Sequence, residues 1–293
     1  MSKKFRQLLL TVSSLLLTVI FLGAFQTPLK ASSSQINVVT TLDFYGETAK
    51  AVLGDHGTVT SLITSPNVDP HDFEPTTKTA KTVAKADLVV YNGAGYDNWV
   101  KKLNGKQYLS AASVMKTKDG ANEHLWYDPQ TMAKLADRLA TEFGKMQPQN
   151  KASFKQNATK YKKSLAKLTK MLDKIKQNSN NQKVAVSEPV FDYSLNKMGY
   201  QIANKHFAKA TEEGSDPSYS DIKKLQDDIK NKKIAFFVQN TQSDSSVIKN
   251  IVELCHKNKI PVVKVTETLP KDKNYVSWLS SEYQAILDIQ QKK

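Results

Sequence analysis

The sequence predicts an α/β protein of two lobes, each a mostly parallel sheet covered by helices, joined by one long helix. Three observations carry this. Short β-branched runs alternate with amphipathic helical patterns before residue 147, and again after residue 182. A single uninterrupted helical stripe separates the two blocks. The chain beyond its first apolar segment, about 260 residues, is long enough for two lobes with real cores.

The order of elements begins with a leader. Lys3, Lys4 and Arg6 precede residues 8–25, which carry no charge. A basic start followed by an apolar stretch is the layout of an export signal. Residues 1–31 are expected to be a signal peptide cleaved after Ala31. Retention as an N-terminal anchor is the competing outcome, because the stretch is close to the ~18 residues that can span a bilayer. Either way the rest of the chain is expected outside the cytoplasm, secreted or held at the extracellular face of the membrane or wall. No cysteine follows the segment, so attachment through a lipid-modified cysteine is not expected.

The first lobe is expected over 36–147, with strands at 36–40, 58–64 and 87–91 and helices at 44–53 and 128–145. Each strand is short, β-branched and apolar, as in sheets buried on both faces. From Lys151 to Gln177 there is no glycine or proline. Phe154, Ala158, Tyr161, Leu165, Leu168, Leu172 and Ile175 recur at spacings of 4, 3, 4, 3, 4 and 3, with lysines on the other faces. That pattern predicts one amphipathic helix, roughly 38 Å long at 1.5 Å per residue. It is assigned to a linking segment, 148–179. The stripe is too short for a coiled-coil dimer, so a monomer is expected. The second lobe is expected over 182–293, with strands at 183–187, 233–238 and 260–265 and helices at 221–230 and 245–257. No internal repeat is visible.

The chain carries 42 basic and 28 acidic residues, a formal net charge of +14. Its lysines are spread along helices without the interleaved aromatics of a nucleic-acid platform, so no nucleic acid partner is expected. An anionic wall or membrane surface is the simpler partner. The single cysteine, Cys255, excludes an internal disulfide and sits in an apolar helical pattern as a small core residue.

Two of the five histidines lie in unusual contexts. Asp69-Pro70-His71-Asp72-Phe73-Glu74-Pro75 places His71 in a proline-bracketed loop after a strand. Asn122-Glu123-His124-Leu125-Trp126-Tyr127-Asp128-Pro129 places His124 just before a helix whose cap and first position are Asp128 and Pro129. Loops at the ends of parallel strands form the ligand crevice in such sheets. The second lobe has acids in matching places: Glu188 directly after a strand, and Asp244 after a polar turn. Two imidazoles and two carboxylates in a cleft between lobes suit Mn²⁺ or Zn²⁺. His56 reads as a turn residue in Gly54-Asp55-His56-Gly57, and His206 and His256, among lysines, as exposed residues. Tyr96 and Trp99 read as packing. The same residues admit a rival, a secreted zinc metallohydrolase using His71, His124 and Glu188, with Glu74 or Asp72 as base. The lack of a His-Glu-x-x-His helix counts against it. A surface adhesin is a further possibility, suggested by export and charge alone.

Four segments carry a resemblance to the manganese- and zinc-specific solute-binding proteins of bacterial ABC importers. They are the His71 and His124 segments, Ala86-Asp87-Leu88-Val89-Val90-Tyr91-Asn92-Gly93, and Glu213-Gly214-Ser215-Asp216-Pro217-Ser218. The resemblance runs from about Ile36 to the C-terminus. It implies two lobes joined by a rigid helix, with the metal enclosed between them and delivered to a membrane permease without catalysis. It implies His71, His124 and Glu188 as ligands and an acid in the 239–244 loop, counted to Asp244, as the fourth, with water as its substitute. The chain departs from the family at Gln239, where many members have Glu. It also departs in residues 240–243, in lacking a His-rich loop between Gly93 and His124, and in lacking the lipid-attachment cysteine. A carboxylate rather than an imidazole at Glu188 makes the site harder and favours Mn²⁺ over Zn²⁺.

Overall fold

The computed structural model describes residues 35–243 and 245–292. The leader expectations and Asp244 therefore lie outside the described residues. Among these residues no helix is long and apolar enough to cross a membrane.

The first sheet contains β1 (Ile36–Leu42), β2 (Gly57–Ile63), β3 (Leu88–Tyr91) and β4 (Tyr108–Ser110), in the order β2-β1-β3-β4 with every pairing parallel. Around it lie α1 (Asp43–Leu53), α2 (Thr77–Ala84), α3 (Ala111–Met115) and α4 (Thr131–Met146). Val38, Val39, Leu88, Val89 and Val90 are wholly buried, which is why these strands read as continuous apolar runs. The second sheet follows α5 (Lys151–Ser164) and α6 (Ala166–Ser179). It contains β5 (Lys183–Val186), β6 (Gln201–Ile202), β7 (Phe237–Asn240) and β8 (Val262–Val265), in the order β6-β5-β7-β8, again parallel. Its helices are α7 (Asp192–Lys197), α8 (Lys205–Glu212), α9 (Tyr219–Lys230), α10 (Ser246–Lys257) and α11 (Tyr275–Gln291). Both sheets thus share one strand order, a structural repeat with no visible trace in the sequence. Cys255 is buried and unpaired.

Three expectations need correction. The long helix is two, interrupted at Leu165. There the Leu165 N–H donates to Lys162 O at 3.2 Å and Leu168 N–H to Leu165 O at 3.0 Å, so the turn tightens to an i−3 pattern. Ser164 Oγ donates to the Tyr161 carbonyl at 2.6 Å, competing with the helix ladder. The apolar stripe continues through the junction, so spacing alone does not reveal it. The strand expected at 233–238 is β7, starting at Phe237, so Gln239 and Asn240 belong to the strand and not to a loop. Finally, α11, in sequence part of the second lobe, packs along α6 and β8 but reaches the first lobe with its first turn. Tyr275 N–H donates to Glu47 Oε2 at 2.8 Å, Tyr275 Oη to Trp126 O at 2.5 Å, and Trp278 lies 5.7 Å from Phe44 between ring centres. One apolar core consequently runs from Ile36 through Trp126 and Val186 to Leu287. That shared core ties the sheets together and leaves a cleft where their strands end.

Candidate metal site

The loop between β2 and α2 carries His71. Its backbone N–H donates to Asp69 Oδ1 at 2.8 Å, a local turn that Pro70 favours, and Trp99 Nε1 donates to the Pro70 carbonyl at 3.1 Å. The imidazole meets Tyr96 edge-on, ring centres 4.4 Å apart. Tyr96 itself is placed by the loop after β3. There the buried Asp97 accepts from Thr41 Oγ1 at 2.6 Å and from the backbone N–H groups of Asn92 and Gly93 at 2.8 and 2.9 Å.

His124 is buried, 1% exposed. Its backbone N–H and Nδ1 both face Asn122 Oδ1, at 2.9 and 3.0 Å. An acceptor at Nδ1 assigns the proton to that nitrogen and leaves the Nε2 lone pair available. Burial, with the charges of His71 and Lys209, pushes the His124 pKa down to about 3. The ring is therefore neutral, the form a metal requires.

The second sheet contributes carboxylates from the ends of its strands. Glu188 follows β5 in extended conformation, φ −147°. Its Oε2 accepts from Asn240 Nδ2 at 2.7 Å, and the same amide nitrogen donates to Glu267 Oε1 at 2.8 Å. Glu267 follows β8. Its backbone N–H donates to Gln242 Oε1 at 2.6 Å, and its Oε2 accepts from Tyr96 Oη at 3.3 Å. Burial first, then the negative charges of Glu188 and Asp69, push the Glu267 carboxyl up to about 8. Glu212, at the end of α8, brings Oε1 to 3.6 Å from His124 Nδ1 while Oε2 takes Lys209 Nζ at 2.8 Å. Glu123 Oε1 lies 3.7 Å from His71 Nε2. Ligand-type atoms of Glu123, His124 and Glu212 all fall within 4.8 Å of one another.

His71, His124, Glu188, Glu212, Asn240 and Glu267 line one cavity of about 430 Å³. The structure thus brings together three of the four sequence-derived candidates, His71, His124 and Glu188. The fourth, Asp244, lies outside the described residues. Glu267 and Glu212 were not singled out from the sequence. Glu267 had a usable signal: it stands two residues past the expected strand at 260–265, close to the strand-end placement that drew attention to Glu188, which directly follows the expected strand at 183–187. Glu212 had none, because its helix was not anticipated. Imidazole and carboxylate donors converging on one cleft are suited to a divalent transition metal.

The profile of the zinc-uptake complex component A periplasmic family, ZnuA, matches residues 38–289. The chain belongs to the ZnuA family. It is 28% identical over 234 residues to the manganese-binding lipoprotein MntA of Bacillus subtilis (strain 168), covering 74% of this chain and 75% of MntA. It is 25% identical over 291 residues to the zinc-binding lipoprotein AdcA of Streptococcus pneumoniae, covering 88% of this chain and 56% of AdcA, so it spans just over half of that relative. Its fold matches that of the SBP FpvC from Pseudomonas aeruginosa in complex with Mn²⁺, with a TM-score of 0.71 at 20% identity, covering 88% of this chain and 99% of FpvC. The ZnuA-family chain is accordingly a binding protein and not an enzyme, and nothing supports the metallohydrolase alternative. The two-lobed, doubly parallel architecture is that of its structural neighbours.

Proposed function

We propose that this protein captures a divalent transition metal between its two sheets, outside the cytoplasm, and delivers it as a monomer to the permease of an ABC importer. The observation that carries the reading is the convergence of His71, His124, Glu188 and Glu267 on one cavity formed by both sheets. The ligand set proposed is these four, with Glu267 in the place first assigned to Asp244. Asn240 is the group that orients both carboxylates, since one amide nitrogen contacts each of them. Two carboxylates beside two imidazoles make a comparatively hard donor set, so Mn²⁺ is the favoured cargo and Zn²⁺ the alternative. The names of MntA and AdcA, one manganese-binding and one zinc-binding, fit either metal.

The test has two parts. Titration of the metal-free protein with Mn²⁺ and Zn²⁺ should give one-to-one binding. His71→Ala or His124→Ala should weaken it by at least about tenfold, since even groups behind the ligands contribute 10–100-fold at metal sites. Unchanged affinity in both variants would remove the site. Delivery is read from metal uptake by native cells lacking this chain: uptake restored equally by the double histidine variant and by the wild type would rule out delivery through this site.

A further inference from the structure

The strands that present Glu188, Asn240 and Glu267 run parallel, so their starting ends lie together at the other end of the sheet and form the face of the molecule opposite the metal cleft. That face contains a second cavity, of about 530 Å³. Its rim is Lys183, Lys232, Lys233, Lys259 and Lys292, over a floor of Ile234, Ile260 and Ile289. Among the described residues only one of the five lysines has an ion-pair partner: Lys233, 3.9 Å from Asp228. Lys232 and Lys259 have φ of 52° and 58°, the left-handed region that favours glycine. Lysine thus occupies two positions whose backbone would suit a residue without a side chain. The basic surface continues onto the helical connection, where Lys163, Lys167, Lys170 and Lys174 border another hollow. From residue 148 to residue 182 the only acidic residue is Asp173.

From this arrangement we infer that the face opposite the metal cleft binds a polyanionic phosphodiester polymer of the cell envelope. A rim of one charge over an apolar floor focuses the field outward and selects an anion. The charge is extended, from the cavity along two helices, which fits a polymer better than a single phosphate. No aromatic side chain lines either hollow, so the stacking platform of single-stranded nucleic acid is missing. The choice of a polymer over a lipid headgroup rests on the proposed function. A cleft that faces a permease turns this opposite face away from the bilayer. A polyanion also gathers divalent cations as counterions, and lysines that dock on it release them. Binding here would therefore hold the metal cleft where the cargo is concentrated.

The experiment measures binding of the full chain to poly(glycerol phosphate) over a series of salt concentrations, for the wild type and for Lys232→Gly/Lys259→Gly. Glycine suits both backbone positions, so the unfolding midpoint and the Mn²⁺ affinity should be unchanged in the variant. The wild type should bind with log K falling linearly in log salt. The variant should bind about tenfold more weakly, with a shallower slope. No binding by the wild type, equal binding by the variant, or preference for phosphatidylglycerol vesicles or single-stranded DNA over the polymer would overturn the inference. Polymer binding by a wild-type sample that takes up neither Mn²⁺ nor Zn²⁺ would remove the proposed function and leave this site standing.

Discussion

Asn122 donates from Nδ2 to the carbonyl of Pro189 at 2.7 Å, joining the two halves of the molecule beside the candidate metal cavity. Its other amide atom, Oδ1, accepts from the backbone N–H and Nδ1 of His124. Pro189 directly follows Glu188. One side chain therefore fixes the tautomer of a candidate ligand in the first half and the backbone beside a candidate ligand in the second. Tyr193 Oη adds a bond to the Asn122 carbonyl at 2.7 Å.

Asn122→Ala should weaken metal affinity by about 10–100-fold, although Asn122 is assigned no bond to the metal. The variant loses the partner that holds His124 Nδ1 and the link to Pro189 together. Calorimetric titration with Mn²⁺ and Zn²⁺ measures the effect. Affinity within a factor of two of wild type for both metals would show that His124 is oriented by packing against Trp126, 5.2 Å away between ring centres, and not by this amide.

The fourth ligand is tested by comparing Glu267→Ala with Asp244→Ala. Glu267 is held by Asn240, by Tyr96 and through its own N–H by Gln242, so it enters the cavity in one fixed orientation. Glu267→Ala should cost about tenfold or more in Mn²⁺ affinity, and Asp244→Ala much less. The reverse ranking would return the assignment to the 239–244 loop.

Much of this was legible beforehand, for physical reasons. Strands buried on both faces are marked by runs such as Leu88–Tyr91, and six of the eight described strands were anticipated. The other two, Tyr108–Ser110 and Gln201–Ile202, are only three and two residues long and too short to carry a period. The last helix was missed despite a signal. Asn274 and Ser277 form a reciprocal cap, and Tyr275, Trp278, Leu279, Tyr283, Ile286 and Leu287 follow at helical spacing. His71 and His124 stood out because prolines mark their loops, although the helix after His124 starts at Thr131 and Asp128, expected as its cap, instead accepts from the Gln130 N–H at 2.9 Å. Glu267 did not, because an acid after a strand is common and only the fold shows that it shares an amide with Glu188.

Metal preference should respond to Glu188. Its backbone is fixed between β5 and Pro189, so a substitution changes the donor without moving the site. Glu188→His replaces a hard oxygen by the softer imidazole and should shift competition between Mn²⁺ and Zn²⁺ toward Zn²⁺. Glu188→Ala should bind both more weakly. A competition titration in which Glu188→His leaves the ratio of affinities unchanged would place the selectivity elsewhere in the cavity.

Stability should fall with rising pH because of Glu282, which sits where α11 meets the first half of the molecule. Burial pushes its carboxyl up to about 8, against hydrogen bonds from Tyr127 Oη and Trp278 Nε1, at 3.1 and 2.9 Å, and from the Thr266 N–H. Oε2 has no hydrogen-bond partner among the described residues. In the unfolded chain the same carboxyl titrates near the ordinary glutamate value, about 4.3. Below that value both states are protonated and the contribution of Glu282 is fully present. As pH rises toward 8 the unfolded chain loses the proton while the folded chain keeps it, so the folded state is progressively disfavoured. Above about 8 both are ionised and the dependence from this group ends. Asp43 and Asp192, raised by burial to about 6 and about 7, add slopes of the same sign, so the total alone does not identify Glu282. Glu282→Gln does: it keeps an acceptor for Tyr127 and Trp278 and removes the titration. Denaturant midpoints measured from pH 4 to pH 9 should fall less steeply in the variant, so parallel curves for the two proteins would mean that Glu282 titrates in the folded state as it does in the unfolded chain.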